Sequence, residues 1–82
     1  MAKSKGLEEE IWSAISAFEQ ILEAMPNDRA SLEALTHAYE QIGDHTRSAE
    51  YAMQLAEVVI DSGDDKAAAE LVEKLRNEAK VI

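Results

Sequence analysis

Three short breaks constrain what this 82-residue chain can fold into. Each break, Pro26-Asn27-Asp28, Gly43-Asp44 or Gly63-Asp64, follows a stretch whose apolar residues recur at helical spacing. Proline stops a helix, glycine supplies the left-handed residue beyond a helix end, and the aspartate that follows can cap the next helix. The breaks therefore predict four helices, at about residues 7–25, 29–42, 45–62 and 65–80.

The connections between these helices are very short, so successive helices should be antiparallel neighbours. No stretch shows the alternation of a β-strand, and the length suits one small domain. We therefore expect an all-α domain of four antiparallel helices at residues 7–82, preceded by a flexible segment at residues 1–6. A helix-turn-helix array and a simple four-helix bundle both remain open at this point.

The third predicted helix differs from the other three in its apolar surface. Each of the others has an apolar stripe and a solvated opposite face, whereas the apolar residues of the third cover roughly 220° of its circumference. So wide an arc predicts a central helix that touches two or three neighbours. Its apolar residues are Ala49, Tyr51, Ala52, Met53, Leu55, Ala56, Val58, Val59 and Ile60.

Composition excludes several classes of function. The net charge is -9, from 8 Lys+Arg and 17 Asp+Glu, so the chain should repel nucleic acid phosphates and anionic membrane surfaces. The longest apolar run, Val58-Val59-Ile60, is far too short to span a membrane. The chain has no cysteine, which excludes disulfides and suits a reducing compartment. We therefore expect a cytoplasmic protein.

Metal and catalytic sites find little support among the titratable residues. Glu33, His37 and Glu40 share one helical face, but their spacing differs from the Glu-x-x-His pairs of di-iron bundles, and His37 faces away from the apolar stripe. His45 follows the Asp44 cap as a boundary residue. The serines have no histidine at a suggestive spacing. We expect no metal, no cofactor and no catalytic residue, so the chain is not predicted to be an enzyme.

The spacing of small and bulky residues on either side of Pro26 is the most specific motif in the chain, and it resembles the tetratricopeptide repeat. Thr36 stands where that family usually has glycine or alanine, Ala52 replaces the usual aromatic residue, and no proline follows the third helix. The resemblance implies a TPR-like array of the four helices. Its residues are Ala14, Phe18, Ile21 and Pro26 for the end of one repeat, then Leu32, Leu35, Tyr39, Gly43, Ser48, Ala52 and Leu55 for the next.

The resemblance also implies a binding surface. In tetratricopeptide arrays the exposed side of each first helix lines a groove that holds a peptide or a helix. On this chain the corresponding residues are Glu33, His37, Glu40 and Gln41, with Ala30 at the edge, and the helical wheel independently leaves them polar. Because glutamates dominate, a basic or helical protein segment fits better than an acidic one. A solvated face with no partner is the alternative.

Trp12 suggests a second surface. On the helical wheel it lies among glutamates, away from the apolar stripe of the first helix, and exposed aromatic residues of this kind are enriched at interfaces. The alternative is that the indole folds over the helix edge onto Ile15 or covers the N-terminal segment. The first helix also resembles the second helix of a repeat without its partner. We therefore expect a homodimer or partner surface at Ile11, Trp12, Ile15 and Glu19.

These observations favour a non-catalytic protein–protein interaction module, a TPR-like adaptor that binds a protein segment, homodimerises, or does both. The alternative is a structural subunit that serves only in assembly. A metal-binding or catalytic bundle is a distant third. The two leading alternatives differ in the role of the groove, because a pure assembly subunit should tolerate substitutions there.

Overall fold

The structure is a computed structural model that describes residues 2–81 and, within them, the side chains of residues 6–77 and 80. It has four helices in these residues, which confirms the all-α prediction. Three of the four helices start at the residue that the three sequence breaks predicted, and each of these three ends within one residue of its predicted end. The helices are α1 Ala2–Ala24, α2 Arg29–Gln41, α3 His45–Asp61 and α4 Asp65–Val81.

The start of α1 differs from the prediction. The helix begins at Ala2 rather than near residue 7, so most of the predicted flexible segment at 1–6 is helical, while Met1 lies outside the described residues. Gly6 does not break the helix, because one glycine in a helix costs only about 1 kcal/mol relative to alanine. The alanine and lysines that precede it favour a helix, and they continue α1 toward its N-terminus.

The turns are built as the sequence predicts. Gly43 and Gly63 have positive φ values of 83° and 80°, which L-residues with a side chain rarely adopt. The amide of Asp44 reaches back to the carbonyl of Tyr39 (3.0 Å), and that of Asp64 reaches the carbonyl of Val59 (2.9 Å). Each aspartate side chain then accepts a hydrogen bond from the backbone of the next helix. These local bonds set the helix ends.

The four helices pack in sequence as an open array. α1 contacts α2, α2 contacts α3, and α3 contacts α4, whereas a closed bundle would also bring α1 against α4. The described residues extend over 43 × 32 × 17 Å. The short dimension suits two layers of helices about 10 Å apart. As predicted, α3 touches two neighbours, α2 and α4, but α2 also has two neighbours, and Met53 and Ile60 of the apolar arc of α3 are exposed.

Two apolar clusters hold the array together. The larger joins α2, α3 and α4 and consists of Leu32, Ala52, Leu55, Val59 and Leu71. The smaller joins α1 to α2 through Ile15, Leu35 and Tyr39. Between the clusters, the buried Ser48 hydroxyl donates to the backbone carbonyl of Thr36 (3.0 Å), so two small residues let α2 and α3 approach closely. None of the described helices has the length and apolar composition of a membrane span.

Candidate functional site

A groove with a volume of about 260 Å³ lies between α2 and α4 and has α3 beneath it. Its floor is apolar, because Leu55 and Val59 of α3 and Ala67 and Leu71 of α4 line it. Polar and charged side chains from the two flanking helices form its rim. The rim residues are Arg29, Glu33, Thr36, His37, Glu70 and Lys74.

Two ion pairs cross between α2 and α4. At one end the Nη2 of Arg29 donates to the Oδ2 of Asp64 over 3.1 Å, and at the other the Nζ of Lys74 donates to the Oε2 of Glu40 over 2.7 Å. Among the described residues the backbones of α2 and α4 are not in contact, so these side chains bridge the gap. Eleven residues separate Arg29 from Glu40, which is about 16 Å along a helix. The bridges therefore bound a short groove.

Asp64 has two roles at this end of the groove. Its Oδ1 accepts a hydrogen bond from the backbone amide of Ala67 (3.1 Å) as the cap of α4, while Oδ2 faces Arg29. The Ala67 amide, and then the Arg29 guanidinium, lower the pKa of the Asp64 carboxyl below its usual value. Bonds to the ionised form therefore favour the charged aspartate that joins α4 to α2.

The residues predicted for the groove occupy different positions in it. Glu33 and His37 line the cavity, and Glu40 forms the bridge to Lys74 at its end. The Nδ1 of His37 is 3.8 Å from Glu40 Oε1, and the imidazole is largely exposed. Gln41, the last residue of α2, is exposed and does not line the cavity. Ala30 is exposed as well.

Sequence reasoning missed the contribution of α4 to this groove. Glu70 and Lys74 are one helical turn apart, and Arg29 and Glu33 have the same spacing on α2. That spacing places each pair on one helical face and was available from the sequence. Which helix the α4 face opposes depends on packing, however, and this could not be read from the spacing.

The rim carries charges of both signs, and Glu33 and Glu70 are the carboxylates that line the groove between its two ion pairs. Arg29 is held by Asp64 and by Glu33 (3.2 Å), and Lys74 is held by Glu40. Within the described part of the chain, Glu70 has no ion pair or hydrogen bond of its own, and more than half of the Glu33 side chain is exposed. A cationic group in the groove would therefore meet carboxylates from both walls.

The arrangement of the titratable side chains also bears on the alternative that the chain binds a metal ion. Across the described residues, no group of three or more histidine, aspartate or glutamate side chains is arranged to hold a metal ion. Glu33, His37 and Glu40 share a helical face as predicted, but Glu40 is engaged by Lys74.

The predicted surface on α1 is divided by the packing. Ile15 is 2% exposed and lies in the core with Leu35 and Tyr39, so a partner could not reach it. Ile11 is half-buried against the same cluster. Trp12 is 47% exposed, and its ring packs edge-on against Tyr39 with 6.0 Å between centroids. The indole thus covers a tyrosine of α2, a contact that neither sequence interpretation named.

Glu19 joins three helices rather than facing a partner. Its Oε2 accepts hydrogen bonds from the hydroxyl groups of Tyr39 (2.9 Å) and Tyr51 (3.0 Å), whose rings stack with 5.7 Å between centroids. The guanidinium of Arg47 lies 5.8 Å from the centre of the Tyr39 ring. Burial, and then the bond to Glu19, raise the pKa of Tyr51 to about 12.

The described residues thus form an all-helical domain of four sequentially packed helices with a groove between α2 and α4. No family model matches the chain, and no curated protein or solved structure is significantly similar to it.

Proposed function

We propose that the chain is a TPR-like adaptor that binds a short protein segment in the groove between α2 and α4. The observation that carries the proposal is the groove itself, an apolar floor between two helices that only side chains bridge, bounded by ion pairs about 16 Å apart along α2. Support for the TPR-like arrangement comes from the sequential packing and from two Gly-Asp turns of the same construction.

The groove chemistry favours a segment that carries both an apolar and a basic side chain. Leu55, Val59 and Leu71 offer an apolar surface, while Glu33 and Glu70 offer carboxylates on opposite walls. The net charge of -9 would also steer a basic segment toward the domain. At about 3.3 Å per extended residue, the space between the ion pairs holds about five residues.

Peptide display on the wild-type domain tests this proposal. We expect a library of random seven-residue peptides to yield binders with lysine or arginine beside an apolar residue. The double variant Glu33→Lys/Glu70→Lys reverses the charge of both walls and should lose these binders. The matched control, Glu50→Lys/Glu57→Lys, makes the same charge change at exposed positions of α3 outside the groove.

Two results would count against an adaptor of this kind. One is a selection that enriches no peptide, and the other is binding that both double variants retain equally. Circular dichroism should show that each variant keeps its helices. An assembly subunit, the alternative function, predicts that the groove variants alter neither the fold nor the oligomeric state and that no peptide is selected.

A further inference from the structure

One face of α1 remains uncovered in the array. Among the described helices the backbone of α1 contacts that of α2 alone, and the packing runs through Ile15, Ile11 and Phe18. Leu7 is 60% exposed and Met25, one residue beyond the helix, is 54% exposed. Six apolar residues follow one another along α1 at alternating intervals of four and three residues, and we name them the α1 stripe: Leu7, Ile11, Ala14, Phe18, Ile21 and Met25. The two end residues are exposed and the other four are half-buried, with Ile11 and Phe18 packed against the core cluster on the side toward α2.

The α1 stripe has the geometry of a helix-pairing seam. At about 100° per residue its members fall within an arc of about 80°, and intervals of four and three are the a/d repeat of paired helices. Ile15 lies beyond the edge of this arc that faces α2. The residues on that edge of the stripe therefore pack against the core, while the opposite edge has no helix against it. Trp12 lies about 140° from the centre of the stripe, so it belongs to a different surface.

The α1 stripe is palindromic in its spacing, and its side-chain sizes are complementary across the centre. A two-fold axis at residue 16 places Leu7 opposite Met25 and Ile11 opposite Ile21 of a second antiparallel copy. It also places the small Ala14 opposite the large Phe18. Each layer then pairs an a position with a d position, as antiparallel coiled coils do. A surface that complements itself under a two-fold rotation is what an isologous dimer requires.

The charges beside the α1 stripe also permit a second copy. Between residues 11 and 25 the only charged residues are Glu19 and Glu23, and both lie more than about 100° from the centre of the stripe. On the flank away from α2, Ala17 would lie next to Ala17 of the second copy, and Glu10 would lie beside Ala24. No acidic residue faces another, although each chain carries a net charge of -9.

We infer that a second copy of this chain docks antiparallel on the α1 stripe and forms a symmetric homodimer. The inference concerns α1 and is independent of the groove between α2 and α4. A contact along one helix is at the small end of specific interfaces, which bury about 1,200–2,000 Å² in total. The dimer should therefore dissociate on dilution.

Sedimentation velocity over a series of concentrations tests the dimer. The wild type should change reversibly from the 9.0 kDa chain to a species of twice that mass. Salt should strengthen the dimer, because the apolar contact has no ion pairs to lose and screening reduces repulsion between the two acidic copies. A wild type that is monomeric at every concentration would overturn the inference, whatever other protein covers the stripe.

Ala17 gives a substitution that leaves the core alone, because its side chain is exposed. Ala17→Glu should weaken dimerisation at least about tenfold, since it brings two like charges together near the axis. Ser16→Glu adds the same charge one residue away on the opposite side of α1 and is the matched control. An equimolar mixture of Ala17→Glu and Ala17→Lys should recover the dimer. A dimer that Ala17→Glu leaves intact but Trp12→Ala abolishes would assign the contact to the Trp12 surface and refute the α1 stripe.

The orientation can be tested by crosslinking, because the natural chain has no cysteine. Leu7→Cys mixed with Met25→Cys should give a mixed disulfide on oxidation, while either variant alone should give little. Efficient homodisulfides at both positions would indicate parallel helices and contradict the palindromic pairing. Both positions are exposed, so neither variant disturbs the core.

Discussion

The hydroxyl group of Tyr51 on α3 donates a hydrogen bond to Glu19 on α1 over 3.0 Å, although 32 residues separate them in the chain. The same Oε2 also accepts the hydroxyl hydrogen of Tyr39 on α2. One carboxylate oxygen thus ties together three helices. The backbones of α1 and α3 are not in contact in the described region, so this carboxylate links the two helices through side chains and adds to the apolar cluster that packs α1 on α2.

Glu19→Ala should destabilise the domain by about 1–3 kcal/mol, because the substitution removes the acceptor of two partly buried hydroxyl groups. Glu19→Gln retains an acceptor and should cost less. Urea unfolding followed by circular dichroism measures the change. Glu23→Ala, one turn away and exposed, is the matched control and should stay within about 0.5 kcal/mol of the wild type. Equal losses for both alanine variants would refute the bridge.

The two tyrosines should ionise at a higher pH than tyrosine in an unfolded chain. Burial raises the pKa of Tyr51 to about 12 and also raises that of Tyr39. Since the folded state favours the neutral phenol, stabilisation by Tyr51 is complete below about pH 10, the usual tyrosine pKa, and is lost as the pH rises through about 12. These are the only two tyrosines of the chain, so phenolate absorbance reports on them alone.

A specific outcome of this titration would contradict the prediction for the two tyrosines. Folded protein should show clearly less phenolate absorbance at about pH 10.5 than protein unfolded in urea, because burial raises the pKa of both tyrosines. Glu19→Gln should shift the folded titration to lower pH, because it removes a negative charge beside both hydroxyl groups. Substantial ionisation of the folded wild type near pH 10 would show that the hydroxyl groups are neither desolvated nor bonded to the carboxylate.

Asp64 should contribute to stability in a pH-dependent manner. Its pKa is lowered by the Ala67 amide and then by Arg29, so its stabilising effect is present above the ordinary aspartate pKa of about 3.9 and is lost as the pH falls through the lower folded value. Asp64→Asn keeps an oxygen that can cap α4 but removes the charge. We therefore expect the variant to unfold at lower urea concentration than the wild type at pH 7.

The difference between Asp64→Asn and the wild type should narrow as the pH falls from about 3.9 through the lower folded pKa of Asp64, because the wild-type carboxyl then becomes neutral. Urea midpoints measured from pH 2 to 7 follow this change. Asp65→Asn alters the same charge at the adjacent exposed residue and serves as the control. A gap between Asp64→Asn and the wild type that stays constant with pH would mean that the carboxylate charge has no role.

Alanine substitutions at two glycines should change the stability of the domain in opposite directions. Gly43 has a φ of 83°, so Gly43→Ala should destabilise the domain by about 1–2 kcal/mol. Gly6 lies within α1, and a Cβ there would meet no atom within 4 Å. Gly6→Ala should therefore stabilise by about 0.5–1 kcal/mol. Thermal unfolding of the two variants measures both changes, and a shift of the same sign in each would contradict this assignment of the backbone.

Half of the candidate site followed from the sequence. Glu33 and His37 could be assigned to one exposed face of α2 because helical periodicity alone sets which residues share a face. The opposite wall, with Glu70 and Lys74, could not be assigned in the same way. Periodicity also groups those residues, but it contains no information on which helix they oppose.

The sequence by itself determined where the helices end, since Gly43-Asp44 and Gly63-Asp64 act within a few residues through positive φ angles and aspartate caps. The tertiary structure alone decided which side of each apolar stripe is covered. Ile15 is buried and Leu7 exposed on the same helix because α2 lies against only one edge of α1. Contacts of this kind join residues tens of positions apart, and they depend on the relative placement of helices, which no local interaction specifies.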